Sequence, residues 1–317
     1  MVPLFVFSAL SALVDVFAGD RLQRVDPGSV AAVAFTATGA VFCTAALVRL
    51  RWTRLVAVVR EHGRDLAVLN LSTAVTWLTL LYALKLMEPA IANVVSIAVG
   101  PACTVVLQAV WWRRDRVLPG EVVSSCGILA TLVVLVWMSL AGRSGVGAQE
   151  LAPMLLGVLA AVVSGAASAA NVVFSARLGA SGLDVPTVLG LRFGAVAVGG
   201  WVLAGTGGAG ELPRAVTPGL VVAVIGVAVP AYLVQLGVRR VTPMTASMII
   251  SLAPAMTLLL QMADPRLSFS PSSAVGIAVI TALIGTGLLA RRGERRPTVV
   301  QEKGDSTGDS THALRDR

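Results

Sequence analysis

The chain has 317 residues, of which 56% are hydrophobic and only 13% charged, and its formal net charge is +8. That much apolar side chain cannot be buried in one soluble core, so the composition excludes a soluble globular domain and predicts a membrane protein. A window of about 19 residues finds ten candidate spans, each near the ~20 residues that cross the hydrocarbon. In chain order these spans cover residues 3–20, 29–48, 66–86, 89–112, 121–141, 152–176, 185–205, 216–238, 243–263 and 272–290.

The placement of the basic residues predicts the orientation of these spans. With the amino terminus inside, 18 of the 25 Lys and Arg fall on cytoplasmic segments, 6 on outside segments and Arg192 within span 7. This positive-inside bias predicts cytoplasmic amino and carboxyl termini, and it makes the basicity a signature of topology rather than of nucleic-acid binding. A cleaved signal peptide over span 1 is the alternative, and it would leave nine spans. It fits poorly because no basic residue precedes span 1, which also contains Asp15.

The residue types that hold metals and cofactors are few and scattered. Cys43, Cys103 and Cys126 lie singly in predicted spans, and the two histidines fall in a loop and in the tail. The one Gly-x-Gly-x-x-Gly, at residues 205–210, follows an apolar helix rather than a strand, so it does not predict a nucleotide site. There is no P-loop and no Ser/His/Asp arrangement. We therefore expect no metal, no cofactor and no enzymatic activity.

The chain contains two copies of one pattern. Pro101-Ala-Cys-Thr104-Val-Val-Leu-Gln108 and Pro254-Ala-Met-Thr257-Leu-Leu-Leu-Gln261 lie 153 residues apart in predicted spans 4 and 9. Residues 8–22 match residues 164–178 at an offset of 156, which sets Asp15 against Asn171. A further correspondence places Ala34 opposite Arg192. Such internal repeats are typical of secondary transporters.

These copies predict the fold and the domain organisation. Each copy has five spans, an odd number, so the second copy enters the membrane from the opposite side. We therefore predict an all-α integral membrane protein whose ten transmembrane helices form two inverted five-helix repeats. The predicted units are a first repeat over 1–142, an outside linker over 143–151, a second repeat over 152–290 and a disordered cytoplasmic tail over 291–317.

The segment from Leu84 to Trp112, its counterpart from Leu236 to Gln261, and Leu191-Arg192-Phe193 resemble the drug/metabolite transporter superfamily in its EamA-like branch. The resemblance covers about residues 3–290 in order and spacing. It implies a secondary carrier of the bacterial cytoplasmic membrane, commonly an exporter of amino acids, related metabolites or drugs. It implies that a small-molecule substrate and membrane lipid are the partners, with no nucleic acid, and it leaves a homodimer open.

Polar residues share one face of predicted spans 4 and 9. At 100° per residue, Pro101, Thr104 and Gln108 fall within about 60° of arc, with Asn93 some 20° further round. Each proline frees a carbonyl that only protein or water can satisfy at membrane depth. These faces either line a substrate pathway or hydrogen-bond to neighbouring helices. The matching face of span 9 carries Ser247, Ser251, Pro254, Thr257 and Gln261.

Span 3 has a second polar face, on which Asn70, Thr73 and Trp77 lie within about 60° of arc. Trp77 has two interpretations, which are a stacking partner for an organic substrate and a large packing residue.

Asp15 and Arg192 are the two charged residues well inside apolar spans, where charge is costly and therefore points to function. They form an ion pair in one interpretation. In another, Arg192 lies nearer the inner boundary and forms a polar cluster with Asn171. We expect alternating access in which Arg192 binds an anionic group of the substrate and Asp15 couples transport to protons. The alternatives are a structural role for Asp15 and, for the whole chain, a lipid-handling or membrane-scaffolding protein without a transported solute.

Overall fold

The computed structural model describes residues 2–22, 25–86, 89–111, 119–140, 151–207, 210–250 and isolated positions between 252 and 286. No strand occurs in this part of the chain, so the all-helical prediction is confirmed for it. The helices are α1 (Val2–Leu22), α2 (Pro27–Glu61), α3 (Gly63–Leu86), α4 (Pro89–Trp111), α5 (Pro119–Leu140), α6 (Leu151–Ala180), α7 (Val185–Gly190), α8 (Gly194–Gly207), α9 (Leu212–Val221), α10 (Val229–Val238) and α11 (Pro243–Ile250).

Several of these helices can cross a membrane. The described residues contain five stretches that are long and apolar enough, with three shorter apolar helices besides them. The chain is therefore a multi-pass membrane protein. The five stretches are Pro27–Glu61, Gly63–Leu86, Ala152–Ala180, Val185–Thr206 and Leu212–Val238.

Helix α2 continues well beyond its predicted span, 29–48. It begins at Pro27 after Asp26, whose carboxylate accepts a hydrogen bond of 2.8 Å from the amide of Ser29. It runs through the arginine-rich segment to Glu61, with a kink at Arg51, where φ is 57°. Hydropathy detects where lipid contact ends, whereas helical hydrogen bonding continues into water, and this explains the difference in length.

Two predicted spans are irregular helices. Span 7 is divided between α7 and α8 by a non-helical turn at residues 191–193, which places Arg192 at the break. Span 8 contains a π-helical segment, Val222–Ala228, between α9 and α10. There the amide of Val229 donates to the carbonyl of Val224, five residues back. Pro230 has no amide hydrogen to continue the α-helical pattern, which favours the wider turn before it.

Small residues let α4 and α6 approach closely. A Cβ atom added to Gly165 on α6 would clash with the carbonyl oxygen of Ser96 on α4. Beside that contact, Ser96 Oγ donates to Ser164 Oγ at 3.1 Å, and Ser164 Oγ donates to the carbonyl of Thr76 on α3 at 2.9 Å. These contacts fix α3, α4 and α6 as one packed group.

Ion pairs join the helices at one end of the bundle. Arg177 at the end of α6 lies 3.1 Å from Asp65 on α3, and Arg49 on α2 lies 3.6 Å from Asp184 before α7. All four residues belong to segments that the charge pattern assigns to the same side of the membrane. Their pairing agrees with that assignment.

Candidate functional site

A cavity of about 210 Å³ lies in the middle of the bundle. Its walls come from α1, α3 and α4 in the first half of the chain, and from α6, the break between α7 and α8, the π-helical segment and α10 in the second half. Residues 250 and 253 complete the described wall. Most of the lining is apolar, with a few polar side chains among aromatic and aliphatic ones, which is the composition typical of small-molecule sites.

Arg192 brings a positive charge to this cavity. Its side chain is 7% exposed, and its Nη2 donates a hydrogen bond to Oδ1 of Asn171 on α6. The guanidinium carbon lies 5.4 Å from the centroid of the Phe193 ring. Nε is buried and has no hydrogen-bond partner among the described residues. A guanidinium keeps its charge in a protein, so this buried N–H belongs to a cation and has no acceptor among the described residues.

A chain of neutral groups holds Asn171 in place. Its Nδ2 donates to Oγ1 of Thr73 on α3 at 2.7 Å, and Thr73 Oγ1 donates to the carbonyl of Leu69 at 2.7 Å. The amide oxygen of Asn171 is thereby committed to Arg192 and its nitrogen to Thr73. The expected cluster of Asn171 and Arg192 is confirmed, and Thr73 is its third member.

Other polar atoms around the cavity have no hydrogen-bond partner in the described part of the chain. They are Asn93 Nδ2 on α4, Thr76 Oγ1 on α3 and Ser175 Oγ on α6. Buried polar groups are hydrogen-bonded in the great majority of cases. Three such atoms around one cavity, together with Arg192 Nε, are therefore candidates for contact with a bound polar molecule.

The break after α7 is held by Asn70, one of the predicted site residues. Asn70 Nδ2 donates to the carbonyl of Leu191, and its Oδ1 accepts from the amide of Ala195 at 3.2 Å. These are backbone groups that the broken helix leaves without a helical partner. Asn70 is not among the described residues that line the cavity, so it positions Arg192 through the backbone.

Two further predicted residues are described in the structure. Trp77 lines the cavity and packs edge-on against Phe35, with ring centroids 5.2 Å apart, so it has a packing role; stacking on a substrate stays a prediction. Thr104 is fully buried and donates to the carbonyl of Gly100 at 2.8 Å. It does not belong to the described cavity lining.

The side chains of the remaining eight predicted site residues lie outside the described part of the structure. The backbones of four of them are in described helices, but their side chains are not described, and four more are outside altogether. The first four are Asp15, Pro101, Gln108 and Ser247, and the others are Ser251, Pro254, Thr257 and Gln261.

Helix α6 contributes lining residues that the sequence did not single out. Ser168 and Ser175 line the cavity beside Asn171, and Ser164 precedes them on the same helix. Their spacing of four, three and four residues places all four on one helical face. This periodic polar face is the signal that identifies them.

Comparison with known proteins relates the second half of the chain to a transporter family. No curated protein matches it. One solved structure, described only as the crystal structure of a protein, is 20% identical, with the alignment covering 92% of this chain and 98% of that chain at a TM-score of 0.66. At this identity the likeness concerns the fold alone. Residues 155–291 match the EamA-like transporter family. This match to the second half of the chain agrees with the resemblance of its sequence to the drug/metabolite transporter superfamily.

Proposed function

We propose that the chain is a secondary active transporter of the bacterial cytoplasmic membrane. It exports a small metabolite, such as an amino acid or a related compound, or a drug, by alternating access. The observation that carries this proposal is the buried guanidinium of Arg192 in a cavity whose walls come from both halves of the chain. A charge within a membrane protein is costly and is typical of a substrate pathway.

Paired hydrogen bonds support the inverted repeat. Ser8 Oγ on α1 donates to the carbonyl of Ile249 on α11 at 3.1 Å, and Ser164 on α6 bonds Ser96 on α4. Ser8 and Ser164 correspond at the repeat offset of 156, and Ser96 and Ile249 at 153. Each copy thus contacts the other through corresponding positions. The family match over 155–291 lies close to the proposed second repeat, 152–290.

The irregular helices support alternating access. Discontinuous helices at the centre of a repeat fold are the usual site of substrate binding in secondary transporters. Here the break at Arg192 and the π-helical segment both border the cavity. The ion pairs Arg177–Asp65 and Arg49–Asp184 join helices at one end of the bundle, so they must separate when that end opens.

Asp15 is the residue to which we assign proton coupling. It lies in α1, four residues after Ser11, a residue of the cavity wall. A carboxylate within a span is the group that such carriers protonate and deprotonate. Asp15 and Asn171 occupy corresponding positions in the two copies, so one copy carries the titratable side chain and the other its neutral equivalent.

A lipid-handling or scaffolding protein is the alternative that a dry, tightly packed centre would favour. The cavity, with polar atoms that have no partner in the described part of the chain, supports a transporter instead.

The proposal is tested by comparing the small molecules that bacterial cells release. Cells that overproduce the chain, cells that overproduce the Arg192→Gln variant and cells with an empty vector are grown alike, and their media are profiled by mass spectrometry. We expect at least one compound to accumulate only with the wild-type chain. Identical profiles from all three cultures, with both proteins present in the membrane, would overturn the proposal.

A further inference from the structure

The charge of Arg192 is not balanced by the residue that holds it. Arg192 is the one charged residue among the described residues of the cavity wall, and its partner Asn171 is a neutral amide. A buried guanidinium is normally paired with a carboxylate, because burying one charge alone is costly. An asparagine fixes the position of the guanidinium and leaves the positive charge available to a ligand.

Two hydrogen bonds hold the neutral amide group of Asn171 in place. Its oxygen accepts from Arg192 and its nitrogen donates to Thr73, whose hydroxyl in turn donates to the carbonyl of Leu69. In this series of hydrogen bonds, from Arg192 to the carbonyl of Leu69, each donor meets an acceptor. An aspartate in its place would offer an acceptor to Thr73 and a full negative charge to Arg192.

The rest of the wall fits an apolar body. Phe193 provides an aromatic surface beside Arg192, and Trp77 provides another on the same cavity wall. Leu80, Leu81 and Leu84 continue the wall along α3. The volume of about 210 Å³ is below the ~300–1000 Å³ of cavities that enclose drug-sized ligands. A molecule with several negative charges could pair only one of them with Arg192, and its other charges would lie against a largely apolar surface.

From these observations we infer that the cavity binds a small organic monoanion. Its carboxylate group meets Arg192, whose Nε has no hydrogen-bond partner among the described residues, and its apolar body packs on Trp77 and Phe193. Asn171 is the specificity-determining residue, because its neutrality reserves the charge of Arg192 for the ligand. This inference rests on the proposed transport function and narrows its substrate class.

Four compounds that share one aromatic ring test the inference. They are phenylacetate (a monoanion), phenylacetamide (neutral), phenethylamine (a cation) and phenylsuccinate (a dianion). Binding to the purified full chain in lipid nanodiscs is measured by calorimetry at neutral pH. We expect phenylacetate to bind about tenfold or more tightly than each of the others, the ratio typical of a charge-assisted hydrogen bond.

Three variants test whether the preference for phenylacetate depends on Asn171. Asn171→Asp should remove the advantage of phenylacetate over phenylacetamide, whereas Asn171→Ser should retain it with weaker binding overall. Asn93→Asp adds the same charge to another part of the same wall and should reduce the advantage less than Asn171→Asp does. Thermal unfolding of each variant in nanodiscs reports whether it remains folded.

Several outcomes would overturn the inference. They are equal binding of the acid and the amide by the wild type, no binding of any of the four compounds, an unchanged preference in folded Asn171→Asp, or equal effects of the two aspartate substitutions. None of these binding results shows whether the chain releases a compound from cells. The proposed transport function is therefore tested independently of the substrate class. A folded Asn171→Ser variant that loses the preference would also contradict it.

Discussion

Arg192, at the break between α7 and α8, donates a hydrogen bond through Nη2 to Oδ1 of Asn171 on α6, and both side chains line one cavity. The bond joins the irregular part of one helix to the middle of another. It fixes a permanent charge within the membrane without neutralising it. The mechanism proposed for this chain depends on that relationship.

Replacing the guanidinium should strongly reduce export. Arg192→Gln removes the charge but keeps a polar side chain, and we expect export of the accumulating compound to fall about tenfold or more. Arg192→Lys should retain part of it, because an ammonium carries the charge without the planar fork. Arg214→Gln is the matched control, since Arg214 is exposed and pairs with Glu211 at 3.3 Å within the same turn. Wild-type export by Arg192→Gln would contradict the assignment.

Replacing Asp15 tests proton coupling. Asp15→Asn removes the titratable group while keeping its size, so we expect transport in proteoliposomes to lose its dependence on a pH gradient. Uptake of the identified compound is measured with and without the gradient for the wild type and the variant. If both respond to the gradient alike, Asp15 has no part in coupling.

Asn70 should stabilise the broken helix. Asn70→Leu leaves the carbonyl of Leu191 and the amide of Ala195 without their side-chain partner, at a cost of about 1–3 kcal/mol in unfolding free energy. Ser72→Ala is the control, because the hydroxyl of Ser72 bonds within its own helix, to the carbonyl of Leu69, and its loss should cost only about 0.5 kcal/mol. The measurement is the thermal unfolding midpoint in detergent. Equal shifts for the two variants would show that the side chain does not stabilise the break.

The contact between α4 and α6 should not tolerate a larger residue. Gly165→Ala places a methyl group against the carbonyl of Ser96, so it should lower the unfolding midpoint. Gly205→Ala has no described heavy atom within 4 Å of the new methyl group. It should be neutral or stabilising, because alanine has the higher helix propensity. Gly165→Ala with the wild-type midpoint would mean that the helices separate freely.

The long apolar helices and the Arg192–Asn171 cluster were predictable from the sequence. Hydropathy located α3 and α6 within a few residues, and the depths of Asn171 and Arg192 along their spans brought them together. The break after α7 was not predicted, because no proline marks it and its stabilising groups come from Asn70, more than a hundred residues earlier. Gly190 and Gly194 border the break. Thr73 and Trp77 share one face of α3, but Thr73 bonds Asn171 whereas Trp77 lines the cavity. The projection of a single helix could not predict this difference, because it depends on the neighbouring helices.

The accessibility of the cavity to water from each side of the membrane tests the central claim most directly. A single cysteine is introduced as Ser168→Cys, on the cavity wall, in a chain whose three native cysteines are replaced, and a membrane-impermeant thiol reagent is added to whole cells or to inverted vesicles. Val133→Cys is the control, since Val133 is 66% exposed on α5 and is not among the described residues that line the cavity. We expect lipid rather than water around this position, so a cysteine there should not react. Alternating access predicts that the cysteine at 168 reacts from both sides. Reaction from neither side, or from one side alone, would contradict it.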